Sequence, residues 1–294
     1  MKIRIISPSD TDHKHPEWWS DYWIKIGLEE EFKNRKYDIV QKDGELDLFL
    51  FGNFSWGYKP TAKRRFCWLN SHPNQILVER NTWLKFGMQF EHIFVMSYDF
   101  IDTVKRDFSN SSVLLGGTSK VYQPRDSKPK YDIMFVGNCA KPERVEIMKY
   151  LVSLKKYKIA IAGIEWEEKL GELIQYVDYL GPYFDNRKLV ELFNSSKLSF
   201  YVTSQDMKQH GFVAMRVLDI VAGSDCLCIP DVNLGLKDIF EYIPTFETKE
   251  DLVEHLDWYL DHLVECENDV AAARDFYGKD FTFKRVVGEI EKFI

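Results

Sequence analysis

No apolar run in this chain approaches the roughly 20 residues that a membrane-spanning helix requires, so no transmembrane segment is expected. Cysteine is scarce and odd in number, five among 294 residues. Cys67, Cys139, Cys226 and Cys228 fall in or beside apolar, strand-like runs. That placement predicts buried free thiols in a reducing, cytoplasmic setting rather than a disulfide framework. Cys226-x-Cys228 alternates along a strand and lacks the spacing of a zinc knuckle. Positive charge is also short: 39 Lys and Arg stand against 46 Asp and Glu, a formal net charge of −7. Phosphate neutralisation needs a basic face, so general nucleic-acid binding is not expected. The runs Lys63-Arg64-Arg65 and Lys155-Lys156 are brief and read as solvated rims. There is no GxGxxG and no Walker lysine motif, so dinucleotide and P-loop readings lack support. Short-period repeats and low-complexity tracts are missing as well.

What is present is an alternation of strands and helices, twice. The start, Met1-Lys-Ile-Arg-Ile-Ile-Ser-Pro8, is too short for a signal h-region and reads as a first strand. Residues 18–34 carry helical spacing (Trp19, Trp23, Ile26, Leu28, Phe32), and the first two aromatics are read as mostly core. Residues 46–51, 65–69, 93–96 and 113–115 read as further strands, with a short helix at 100–106. The segment 122–130 then breaks the pattern with two prolines and clustered charge, and reads as a semi-stiff linker. After it the programme restarts. Strands are expected at 131–136, 158–162, 177–180, 198–202 and 226–229, and helices at 144–154, 185–195, 249–266 and 283–294. The chain therefore predicts an α/β fold of two facing Rossmann-like lobes with a cleft between them. The expected division is 1–122, a linker at 123–130, and 131–294, with the last helix returning toward the first lobe.

Four constellations carry chemistry. Gly137-Asn138 ends the first strand of the second half, and a helix follows. A glycine there lets a phosphate approach the backbone, and the helix N-terminus supplies donors; an ordinary βα turn is the plain alternative. Second, Arg216 and Asp219 lie three apart on one helix face, just after His210 in a loop. Arginine can grip a phosphate with two prongs, a carboxylate can accept from two ribose hydroxyls, and the histidine can donate to a phosphate or sugar oxygen. A surface ion pair is the alternative. Third, the polar loops Ser9–His15 and Asn70–Pro73 follow strands of the first half and bring Asp10, Asp12, His13, His15 and His72 as candidate general bases. Asp10-Thr-Asp12 also has the form of a D-x-D metal motif, but comes directly after the first strand and reads as a polar loop; no metal is expected. Fourth, Trp18, Trp56 and Tyr58 are aromatics that could stack on sugar rings, with packing as the alternative.

Arg216-Val-Leu-Asp219-Ile-Val-Ala-Gly-Ser-Asp-Cys-Leu-Cys-Ile-Pro-Asp231 resembles the R-V-F-E-A-x-A-C-G-x-x-x-x-x-D signature of GT-B glycosyltransferases, nearest to the spore-maturation-protein-like members with a family-1-type C-terminal domain. The likeness continues through Gly235-Leu236, residues 246–252 and Tyr277–Arg285. Tyr131–Asn138 resembles the strand and glycine loop that open that lobe, and Leu180-Gly-Pro-Tyr183 with Leu192–Lys197 resembles its middle. It covers the second half well and the first half loosely. The resemblance implies a nucleotide diphosphate-sugar donor held by the second lobe, with no further cofactor, and transfer to a hydroxyl on a glycan or other acceptor. It implies donor contacts from Gly137, Asn138, Arg144, Tyr183, His210, Gly211, Arg216 and Asp219, with Asp219 on the ribose and Arg216 and His210 toward the phosphates. Two departures stand out. The signature glutamate is Asp219, and the first glutamate of the E-x7-E pattern of retaining members falls at Gly211. A nucleotide-sugar epimerase or hydrolase, or a non-catalytic sugar- or partner-binding protein, remains open beside the transferase.

Overall fold

The computed structural model describes residues 1–11, 14–51, 59–71, 73–182, 185–240, 243–277 and 280–294, all but the side chain of Trp18. Two separate parallel sheets organise it. The first contains β1 (Lys2–Ile6), β2 (Asp38–Ile39), β3 (Leu46–Phe51), β4 (Arg64–Leu69), β5 (His92–Val95) and β6 (Ser111–Val113), in the order β2-β1-β3-β4-β5-β6. Between its strands run α1 (Ser20–Asn34), α2 (Pro73–Val78), α3 (Arg80–Gly87) and α4 (Ile101–Lys105). The second sheet contains β7 (Tyr131–Val136), β8 (Ile159–Ala162), β9 (Val177–Tyr179), β10 (Ser196–Tyr201) and β11 (Leu227–Pro230), in the order β11-β10-β7-β8-β9. With it go α5 (Pro142–Ser153), α6 (Trp166–Leu170), α7 (Leu189–Asn194), α8 (Gln205–Gln209), α9 (Met215–Gly223), α10 (Lys249–Asp261) and α11 (Leu263–Tyr277), while α12 (Phe283–Glu291) returns to the first sheet.

Covered on both faces, β3 buries all six of its side chains. Each phenylalanine removed from water there contributes on the order of 1.5–3 kcal/mol. Asp47 is the polar exception. Arg4 meets its carboxylate with two N–H groups, at 2.8 and 2.6 Å, and the amides of Thr61 and Ala62 add to it. A buried charge is tolerable when it is paired and hydrogen-bonded in this way.

The chain crosses between the sheets twice, and the two crossings lie side by side. The Thr118 amide donates to the Phe281 carbonyl at 2.8 Å, and the Phe283 amide to the Thr118 carbonyl at 3.3 Å. The second crossing delivers α12 to the first sheet's core, where Phe283, Val286, Val287 and Ile290 are buried. Arg35 fastens it, reaching the Glu291 carboxylate and, at 2.7 Å, the Lys284 carbonyl.

Several elements differ from the expectation. The segment 122–130, read as a semi-stiff linker, is tied to the second lobe. Arg125 donates to the carbonyls of Asn194, Ser196 and Asp225 at 2.6–3.0 Å, which fastens it to the second sheet's periphery. The helix expected over 249–266 is two helices, with His262 at φ −122°, ψ 61° between α10 and α11. The break lets α11 turn and pack on α9. The elements β2, α2, α3, α6 and α8 were not expected. Trp19 is not core: it precedes α1 in an extended conformation and is 52% exposed.

Candidate active site

The sheets face one another through their carboxyl ends. Asn70 and Ser71 follow β4, and Met96 follows β5. On the other side Gly137 follows β7, Gly163 follows β8, and Tyr201 ends β10. All line one cleft of about 760 Å3. That size suits a substrate of nucleotide-sugar dimensions.

On the second-lobe wall, two glycine loops are stacked. The Gly137 carbonyl accepts the indole N–H of Trp166 at 2.7 Å. Gly163 has φ +148°, and a Cβ on it would stand 2.0 Å from the Gly137 oxygen, so only glycine fits. Pro142 opens α5 at a position that needs no amide donor, and Lys141 just before it lines the cleft, which places the positive end of the helix dipole on this wall. Arg144, from the first turn of α5, holds the loop in place. It donates twice to the Val202 carbonyl (3.1 and 3.0 Å), to the Asn138 carbonyl (3.2 Å) and to the Tyr201 hydroxyl (3.0 Å). Its residue is 95% buried by these partners (5% exposed), so its role in the free protein is to position the loop.

Arg216 and Asp219 do form the i,i+3 ion pair, 3.6 Å apart, yet they do so on the cleft wall and not on the outer surface. Arg216 also donates to the Asn186 side-chain oxygen at 2.9 Å. Burial lowers its pKa, with Asp219 opposing the shift. Asp219 accepts the Thr118 hydroxyl at 2.5 Å. Sequence reasoning missed Lys120, which reaches this cluster from the first crossing and donates to the Asn186 carbonyl at 2.6 Å. Burial lowers its pKa, and Asp219 raises it in part. Lys141 also lines the cleft, its pKa lowered to about 8 by burial and then by Arg144. Nothing in the local sequence pattern marks Lys120, because crossing the lobes is what brings it in; Lys141 fell in the loop before a helix expected to start at 144, and the helix starts at Pro142.

His210 and Gly211 sit at the joint between the lobes and do not line the cleft. The His210 ring meets the Asn74 side-chain oxygen at 3.1 Å and lies edge-on to Phe100. Gly211 has φ +70°, and a Cβ there would lie 2.3 Å from an Asp99 carboxylate oxygen. The joint therefore requires glycine where a retaining member would carry glutamate.

On the first-lobe wall, Asp21 opens α1 beneath the end of β1. Its Oδ2 accepts the Ser7 hydroxyl at 2.6 Å and the Ser9 amide at 2.7 Å. Its Oδ1 makes no hydrogen bond among the described residues and the side chain lines the cleft. Asp10 is turned away, bonded to Lys25 at 2.6 Å and to the Ser7 amide. His15 is exposed, 3.6 Å from Glu17, and does not line the cleft. The candidate bases Asp12, His13 and His72, the donor residue Tyr183, and Trp56 and Tyr58 lie outside the described residues, as does the side chain of Trp18. No group of three or more His, Cys, Asp or Glu among the described residues is arranged to hold a metal ion. No described helix is long and apolar enough to cross a membrane.

Comparison with known proteins follows the same lines. A family model described as glycosyl transferase-like matches residues 144–292. A search of curated proteins by sequence gives no match. T4 phage BGT in complex with UDP-glucose is similar in structure, with TM-score 0.64 and 11% identity, over 100% of this chain and 98% of that one. An alpha-glucosyltransferase in complex with UDP and a 13-mer DNA gives TM-score 0.66 and 9% identity, over 99% and 98%. S. aureus TarM, in complex with fondaparinux, alpha-GlcNAc-glycerol and UDP, gives TM-score 0.63 and 11% identity over 84% of this chain. This chain spans 55% of TarM's length. At these identities the likeness is one of fold, the two-lobed GT-B arrangement.

Proposed function

For a chain that belongs to the glycosyl transferase-like family, we propose transfer of a sugar from a nucleotide diphosphate donor to an acceptor hydroxyl in the cleft. The observation that carries this reading is the pair Lys120 and Arg216 beside Asp219, with Lys141 lining the same cleft from the start of α5. Three cations and the α5 N-terminus offer a diphosphate the charge and donors it needs. The Asp219 carboxylate has lone pairs beyond those used by Thr118 and Arg216, enough for ribose hydroxyls. T4 phage BGT and TarM are bound to UDP or UDP-sugar in their structures, which supports a uridine diphosphate donor as the first probe.

The acceptor oxygen attacks the anomeric carbon while Asp21 Oδ1 takes the hydroxyl proton. The bond from that carbon to the diphosphate oxygen breaks, and the nucleoside diphosphate leaves with the electron pair. Lys120, Lys141 and Arg216 stabilise the charge as it develops on the leaving oxygen, in a site that is already organised. The step is a direct displacement with inversion, a reading supported by the chain carrying Gly211 where the E-x7-E pattern of retaining members has its first glutamate. Charge stabilisation by these side chains makes the reaction metal-independent, in contrast to any role for the Mn2+ present with UDP in one T4 phage BGT structure. Five free, buried cysteines are in keeping with a cytoplasmic enzyme.

Asp21→Asn tests the assignment. General-base loss lowers kcat by about 100-fold or more, while UDP affinity measured by calorimetry stays unchanged. Full transfer activity in this variant would remove Asp21 from the mechanism. Activity that disappears with EDTA and returns with Mn2+ would refute metal independence.

A further inference from the structure

The two walls of the cleft carry opposite charge. The second-lobe wall and the crossing present Lys120, Lys141, Arg144 and Arg216 against Asp206 and Asp219, so cations are in excess there. Among the described residues of the first lobe that line the cleft, Glu17 and Asp21 are charged and there is no lysine or arginine. A polyanionic acceptor entering from this side would meet two carboxylates with no described cation on its own wall. Nucleic-acid binders gain most of their affinity from lysine and arginine on phosphates, so this wall opposes that class.

The same wall has an unfilled hydrogen-bonding site. Asn70 is only 7% exposed and lines the cleft at the end of β4. Its Oδ1 is buried and accepts no hydrogen bond from any described residue. Leaving a buried amide oxygen unpaired costs about 1–3 kcal/mol in general, so native structures seldom keep one without a use. On the same wall, Trp19 is 52% exposed and lines the cleft. A flat aromatic with adjacent neutral and anionic acceptors is suited to a polyhydroxylated ring, whose C–H face stacks and whose hydroxyls donate.

We propose that the first-lobe end of the cleft is an acceptor subsite for a neutral saccharide, with Asn70 Oδ1 taking a hydrogen bond from an acceptor hydroxyl and Trp19 stacking on the ring. The inference rests on the transferase reading above and names the acceptor class for that site. Asn70 is a binding residue here, and Asp21 takes the proton of the reacting hydroxyl.

The test uses the full chain saturated with UDP. Saturation-transfer NMR is recorded with maltotriose, cellotriose and N-acetylchitotriose, and separately with a 13-mer DNA duplex. The expected result is binding of at least one neutral oligosaccharide and none of the duplex. Asn70→Ala is expected to weaken that binding about 5–10-fold, the worth of one neutral hydrogen bond, with UDP affinity unchanged. Trp19→Ala, at an exposed position that leaves the fold intact, is expected to weaken it as well. Binding of the DNA duplex, binding of none of the three oligosaccharides, or oligosaccharide binding that neither variant alters would overturn the proposal. A protein that fails to bind UDP at all would instead count against the transferase reading on which it rests.

Discussion

Arg144→Met isolates the positioning role of the donor loop. Methionine keeps an unbranched stem of similar reach and removes every donor. The Val202 carbonyl is buried and loses both of its Arg144 contacts, at 3.1 and 3.0 Å. Orphaning one buried carbonyl costs about 1–3 kcal/mol. The Asn138 residue is exposed, so water replaces the bond to its carbonyl. Stacking of the guanidinium 5.1 Å above the Tyr201 ring is lost as well, worth about 0.5–1 kcal/mol. The sum is about 2–4 kcal/mol. At about 2–4 °C per kcal/mol for a domain of this size, the melting temperature should fall by roughly 4–16 °C. The loop from Gly137 to Lys141 should also loosen, so calorimetry should show UDP affinity weakened by about tenfold. Arg144→Lys should recover only part of both, since an ammonium cannot reach three partners in a plane. A melting temperature and a UDP affinity both equal to wild type would refute the positioning argument.

Gly211→Ala should destabilise the lobe joint by about 1–3 kcal/mol, since φ +70° and contact with Asp99 both oppose a side chain; denaturant titration with an unchanged midpoint would contradict this. Lys141 gives a pH signature of two opposite signs. Its folded pKa near 8 lies below the ordinary 10.5, so the unfolded chain binds more protons between these values. Its contribution to stability should therefore rise with pH across that window, while UDP affinity should fall as pH rises above about 8 and the ammonium discharges. In Lys141→Met both trends should be lost, as followed by denaturation and calorimetry from pH 7 to 10.

Much of the second lobe was legible because its strands are short apolar runs closed by glycine: β7 ends at Gly137, β8 at Gly163, and the chain returns after Gly223 to β11. Arg216 and Asp219 could be placed on one helix face from spacing alone, but spacing left open whether that face met solvent or a cleft. Tertiary contacts decide it, through Asn186 and Thr118, 30 and 101 residues away. Lys120 was invisible for the same reason: the crossing between the lobes, not its local pattern, brings it to the cleft. Trp19 was misjudged because helical periodicity was extended one residue past the helix start, and as an N-cap it points out of the pattern. His210, read as a phosphate contact, faces Asn74 and Phe100 of the first lobe, since the chain folds over at Gly211 before entering α9. Asn70 stood at the edge of a polar segment noted for its histidine. Its buried, unpaired oxygen is a property of the packed cleft and not of the local pattern.

The central claim is that the second-lobe wall of this cleft binds a nucleotide diphosphate through Arg216 and Asp219. Isothermal calorimetry of UDP with wild-type protein and with Arg216→Ala and Asp219→Ala tests it directly. The account predicts saturable one-site binding that weakens by about tenfold or more in each variant, the loss of one charge-assisted contact. Absence of binding in the wild type, or equal affinity in all three proteins, would contradict it.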